Sequence, residues 1–200
     1  METNVTQQPR RGGPAGRVAP LQEERDYADI VVNKPWGYEY LMYQNEHIGV
    51  WHLHIERGER TSLHCHPRKK TGLILLNGSA EVSFFNDSIT LDAVSKLMIR
   101  AGLFHSTRAR SPGGVDLIEV ETPRHKEDLV RFEDSYGREA RPYEGADAHA
   151  PMQRRCVQLA EPRDGPPVVH ELNGRRLYVG RGADDGALAP YPGDALLMVM

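Results

Sequence analysis

Three histidines carry the chemistry that this sequence could perform. His64-Cys65-His66 sets two imidazoles two positions apart. Successive side chains on a strand alternate faces, so both rings point one way and Cys65, a small residue suited to burial, points the other. Two neutral imidazoles on one face are half of a site for a divalent cation; the pair alone is equally compatible with a solvated surface. His105 follows Gly102-Leu103-Phe104 at the start of a further strand. Just after Pro67, the run Arg68-Lys69-Lys70 could clamp a phosphate or carboxylate, or form a solvated loop. Glu119 and Glu121 are candidates for moving a proton if their strand turns that face inward. Arg131 has Glu133 and Asp134 nearby as surface ion-pair partners.

The elements that must position these groups are short strands. Tyr38 to Tyr43, Val50 to Ile55, Leu73 to Leu76, Ala80 to Phe85, Leu97 to Arg100 and Val115 to Val120 are β-rich runs. Turn residues separate them, among them Arg57-Gly58-Glu59, Asn86-Asp87-Ser88 and Ser111-Pro112-Gly113-Gly114. Many closely spaced strands with no long 3.6-residue periodicity predict an antiparallel barrel or sandwich. Asn77-Gly78 reads as a two-residue hairpin turn, because both central positions of such a turn favour positive φ. His52 and His54 alternate with Trp51, Leu53 and Ile55, so they face outward if the apolar set fills the barrel. Trp36 reads as a packing plug, and His125, His149 and His170 as solvated. Glu127 to Tyr136 reads as a last strand running into a turn. Beyond it, Arg154 to Leu159 and Val168 to Val179 read as further strands, the latter folded at Asn173-Gly174. The apolar run Ala195 to Met200 should pack somewhere.

Composition narrows the function. The chain has 200 residues and a formal net charge of −3, and no basic field marks a nucleic-acid partner. Two cysteines, Cys65 and Cys156, make no disulfide framework and suit a reducing compartment. Residues 1–27 are polar, lack the apolar run of a secretory signal, and are expected to form a disordered tail. No stretch nears the roughly 18 apolar residues of a membrane span. A cytoplasmic protein is expected.

The spacing of the motifs resembles that of the cupins. Their first motif is a glycine, five residues, HxH, a carboxylate and a closing glycine; their second is a proline and a glycine followed by a histidine. Gly58, His64, His66, Gly78, Gly102 and His105 occupy those places. Thr71 stands where the glutamate ligand falls, and Arg100 where the proline falls. Flanking segments sharpen the likeness. Asn33-Lys34-Pro35-Trp36-Gly37, Gly58 to Leu63, Leu117 to Val120 and Glu127 to Arg138 resemble, in order, segments of the type II mannose-6-phosphate isomerase cupins, found alone or fused to mannose-1-phosphate guanylyltransferases.

The resemblance implies an all-β fold: a double-stranded β-helix, the cupin jelly-roll barrel, over residues 28–144, with a small C-terminal β extension over 145–200. It implies one divalent metal ion (Fe, Zn, Mn or Ni) on His64, His66 and His105. Arg131 matches a catalytic arginine near the sugar, with Lys69, Lys70 and Thr71 at the substrate. His64 stands where the isomerases commonly have glutamine, and Lys69 where an arginine is usual. The implied ligand is a small anion, a phosphorylated or nucleotide-linked sugar undergoing isomerisation or epimerisation. A three-histidine set without the carboxylate also resembles that of cupin thiol dioxygenases, and a non-catalytic carbohydrate-binding barrel is the third alternative. A homodimer paired through outer sheets is expected by analogy.

Overall fold

The computed structural model describes residues 26–181. The strands are β1 (Ile30–Lys34), β2 (Gly37–Gln44), β3 (Gly49–Ile55), β4 (Leu63–Cys65), β5 (Lys70–Leu75), β6 (Ser79–Ser83), β7 (Ser88–Asp92), β8 (Lys96–Ile99), β9 (Ser106–Ala109), β10 (Val115–Thr122), β11 (Val130–Glu133), β12 (His149–Pro151), β13 (Val168–Leu172) and β14 (Arg175–Val179). A seven-stranded sheet runs β12-β1-β2-β3-β10-β5-β8. Opposite it lie β7-β6-β9 and β11-β4, which the bridges Arg60/Arg108 and His64/His105 join. The result is the all-β double-stranded β-helix.

Alternation along each strand builds two apolar layers. Trp51, Leu53 and Ile55 of β3 meet Leu75, Ala80, Val82, Val115 and Leu117 between the sheets. Val50, Tyr40, Met42, Ile118 and Val31 point out of the barrel, where Leu172, Met152, Val157, Leu159 and Leu177 of the C-terminal extension cover them. Backbone bonds tie the extension down: Leu159 N–H donates to the Met42 carbonyl (2.9 Å), and Met152 N–H to that of Asp29 (2.8 Å). The outer face of the large sheet is therefore covered by the chain itself.

Several sequence expectations change. Asn77-Gly78 is not a hairpin: β5 pairs with β10 and β8, whereas β6 pairs with β7 and β9, so the turn carries the chain from one sheet to the other. Gly78 still needs its positive φ of 71°, and a Cβ there would meet Ser111 Oγ at 2.7 Å. Arg154 to Leu159 is irregular rather than a strand, whereas Asn173-Gly174 does close the β13–β14 hairpin, with φ of 50° and 76°. Tyr27, at the end of the expected tail, is a core residue, edge-on to Trp51 with ring centroids 5.4 Å apart. His149 and His170 are partly buried: His149 lies edge-on to Tyr27, and His170 Nε2 accepts the Ala160 N–H at 3.1 Å. The rest of the expected tail, residues 1–25, and the run Ala195 to Met200 lie outside the described residues.

His52 and His54 do face outward, yet His52 is buried, its ring stacked on Tyr40 with centroids 4.9 Å apart. Both converge on Asp116 Oδ1, His54 through Nδ1 at 2.9 Å and His52 through Nε2 at 3.1 Å; only the His54 contact has hydrogen-bond alignment. Asn77 Nδ2 donates to Asp116 Oδ2 at 2.7 Å. Burial alone would raise the Asp116 pKa, but these partners hold it well below the ordinary carboxylate range. Stability from such a group is present above the unfolded pKa and is lost as pH falls through the folded one. Asp116→Ala should therefore cost about 2–3 kcal/mol at pH 7 by urea unfolding, as its donors are left unpaired. The gap between wild type and variant should shrink below about pH 4. A gap independent of pH would show that Asp116 acts through packing alone.

Candidate metal centre

The smaller sheet places the three histidines. β4 carries His64, and His66 follows it directly. His105 precedes β9 and faces His64 across an antiparallel bridge, His64 N–H to His105 O at 3.0 Å and His105 N–H to His64 O at 2.8 Å. All three are buried, with ring centroids 4.5–5.6 Å apart and ligand nitrogens within 4.8 Å of one another.

Their tautomers follow from their partners. His64 Nδ1 lies 2.8 Å from the Ser62 carbonyl, His66 Nδ1 2.7 Å from that of Asp128, and His105 Nδ1 3.0 Å from that of Leu103. A carbonyl can only accept, so each ring carries its proton on Nδ1 and keeps its lone pair on Nε2. His66 Nε2 is buried and unpartnered. Burial lowers the pKa of all three. The neighbouring imidazoles add to this at His64, and Lys69 contributes at His66, which falls to about 2. Three neutral imidazoles with carbonyl-fixed rings are the donor set that Zn, Fe, Ni or Mn accepts, so these residues fit a divalent ion.

His64 and His66 line a charged cavity. The inward face of the large sheet supplies Glu39 from β2 and Glu119 and Glu121 from β10. Lys126 Nζ reaches Glu119 (3.0 Å), Glu121 (3.1 Å) and Glu39 (3.5 Å), and sits 4.1 Å above the Trp51 ring. Lys69 Nζ donates to Glu121 Oε1 at 2.6 Å, and Lys34 pairs with Glu39 at 3.0 Å. Burial would lower the Lys126 pKa, but the three carboxylates outweigh it and hold the ammonium charged. In return, Lys126 keeps Glu39 and Glu119 ionised against their own burial.

The expected site residues divide. Lys69 and Arg131 line the cavity, Arg131 opposite His64 in the β4–β11 register. Arg131 makes no surface pair with Glu133 or Asp134; it bonds Glu144 at 2.9 Å. Thr71 is fully buried opposite Glu121, its Oγ1 unpartnered. Lys70 is exposed and away from the cavity. Trp36 is buried in the core and also lines the cavity. Sequence reasoning missed Lys34, Glu39, Lys126, Tyr143 and Glu144. For Glu39 a signal existed: it takes the inward phase between Tyr38, Tyr40 and Leu41.

The two-sheet barrel enclosing three histidines defines a cupin. Residues 22–134 match the family model for mannose-6-phosphate isomerase C-terminal, and the chain belongs to that family. It is 31% identical over 111 residues to the xanthan biosynthesis protein XanB of Xanthomonas campestris pv. campestris, covering 54% of this chain and 23% of that protein. It is 30% identical over 119 residues to the alginate biosynthesis protein AlgA of Pseudomonas putida, covering 58% and 24%. The chain thus spans about a quarter of the length of these relatives. Among solved structures it is similar to a double-stranded β-helix protein from Klebsiella pneumoniae, with 17% identity, a TM-score of 0.44, and coverage of 59% of this chain and 98% of that one.

Lys126 is the group on which the buried carboxylates depend. Removing one partner of a buried ion pair costs about 3–5 kcal/mol, because the remaining charge is stranded. Lys126→Met should destabilise by that amount in denaturant unfolding at pH 7. A loss under about 1 kcal/mol would mean that water or another cation already compensates Glu119 and Glu121.

Proposed function

We propose that this chain binds one divalent metal ion on His64, His66 and His105 and isomerises or epimerises a phosphorylated or nucleotide-linked sugar, most simply an aldose phosphate to a ketose phosphate. The observation that carries the reading is the set of three buried imidazoles, each with Nδ1–H committed to a carbonyl, two of which, His64 and His66, line a cavity with charged walls. Lys34, Lys69, Lys126, Arg131 and Arg138 line it with Glu39, Glu119 and Glu121, and Glu144 and Asp134, outside the lining, pair with the two arginines. A divalent ion would leave the site two charges positive, which suits a phosphate dianion.

A metal held by these imidazoles would supply polarisation of a carbonyl oxygen. Glu121 serves as the group that moves the proton between adjacent carbons: its Oε2 is buried and unpartnered, while Lys69 and Lys126 hold Oε1. Both cysteines are free, which agrees with a cytoplasmic location. A homodimer would pair through a surface other than the sheet face that the extension covers.

The ligand cluster contains no carboxylate, and this favours a second reading, an iron dioxygenase. The two readings part on one assay: the iron-loaded protein consumes oxygen with its substrate only as a dioxygenase.

The test joins elemental analysis to a screen of aldose phosphates. Wild type should hold one metal per chain and turn over a sugar phosphate without oxygen. His66→Ala should lose the metal. Glu121→Gln should keep the metal and lose at least about 100-fold in rate, the usual scale of a general base. Metal retained by His66→Ala, or metal-loaded protein inert towards every aldose phosphate, would contradict the proposal.

A further inference from the structure

Three cations of the cavity wall share a carboxylate supplied by a segment beyond the family match. Three cations converge on Glu144. Arg131 Nη2 lies 2.9 Å and Arg138 Nη1 2.5 Å from its Oε1, and Lys34 Nζ bonds its Oε2. The three cationic side chains are almost wholly buried, at 3%, 11% and 3% exposure, and Glu144 itself is at 10%. Arg138 also pairs with Asp134 at 2.7 Å and Lys34 with Glu39 at 3.0 Å, while Arg131 Nε is buried with no partner, a donor that Glu144 does not use.

The same arginine holds the segment that delivers Glu144. Arg131 Nη1 donates to the carbonyls of Arg141 (2.9 Å) and Pro142 (2.5 Å). Residues 139–142 are exposed, and Tyr143 is the one buried side chain between Glu139 and Glu144. Tyr143 anchors the segment through the Glu39 carboxylate and the Tyr27 ring, whereas the Glu144 side chain is held by the cations it neutralises.

We propose that Lys34, Arg131 and Arg138 form a subsite for a phosphate group, and that Glu144 is the chain's own anion resting in it, displaced when a phosphate enters. Two planar guanidiniums and one ammonium, dry and convergent, match the several acceptor oxygens and higher charge of a phosphate better than a single carboxylate. The cradle lines the cavity that His64 and His66 also line, so a molecule anchored there extends toward the imidazoles. The proposal rests on the sugar-phosphate reading only for the rest of the ligand; the phosphate itself is tested alone.

Inorganic phosphate is the probe, titrated calorimetrically into wild type, Glu144→Gln and the double variant Glu144→Gln/Arg138→Gln. Glu144→Gln should bind phosphate at least tenfold more tightly than wild type, and the added Arg138→Gln should abolish the gain. In wild type, saturating phosphate should speed hydrogen exchange at the Tyr143 and Glu144 amides, a readout that needs no variant to fold. Equal phosphate affinity in wild type and Glu144→Gln, or amides that phosphate leaves unchanged or protects, would overturn the proposal. If phosphate behaves as expected and no sugar phosphate is turned over, the functional reading fails and the subsite stands. If turnover is found and Glu144→Gln gains nothing, the subsite fails alone.

Discussion

Three imidazoles can be buried side by side only if none needs a charge and none wastes a donor. The bonds from Nδ1–H to the carbonyls of Ser62, Asp128 and Leu103 meet both conditions. They also depend on the barrel being closed. The Asp128 carbonyl comes from the loop before β11, and the two backbone bonds between His64 and His105 are part of what joins β4 to β9. Closing the smaller sheet and assembling the donor set are therefore one event. A change that opened that seam would cost the fold and the site together.

The large sheet contributes the opposite kind of group. Its inner face is apolar where β3 and β10 meet the core, and then carries Glu119 and Glu121 on the same alternation that places Val115 and Leu117 inside. A buried carboxylate is tolerated only with a counter-charge, and here the counter-charges come from irregular segments: Lys69 after the histidine strand and Lys126 after β10. The sheets supply rigid positions and the connecting segments supply the ions. The C-terminal extension then covers the outer face of the same sheet, so one set of strands is packed on both sides.

Much of this was legible in the sequence. Period-two alternation put His64 and His66 on one side and Cys65 on the other, and it placed His52 and His54 opposite Trp51 and Leu53. It gave no warning that His52, on that outward face, would be buried. The alternation failed where the chain left a strand. Across Pro67 and Arg68 the phase shifts by one, so Lys69 and Thr71 point inward while Lys70 is exposed, and three adjacent residues assigned to one role take different environments. Asn77-Gly78 showed a local turn, but local turn chemistry does not say which sheet the next strand joins. Lys126, Tyr143 and Glu144 lie where no periodicity exists, and only tertiary folding brings them to the cavity.

The fold presets three neutral histidines as Nε2 donors. Long-range proton–nitrogen spectra of metal-free protein, labelled with ¹⁵N in histidine, read this state for each ring. His64, His66 and His105 should be neutral at pH 7, protonated at Nδ1 and bare at Nε2, with the three Nε2 resonances shifting together when one equivalent of zinc is added. A proton on Nε2 of any of the three, or a charged ring among them at pH 7, would contradict it.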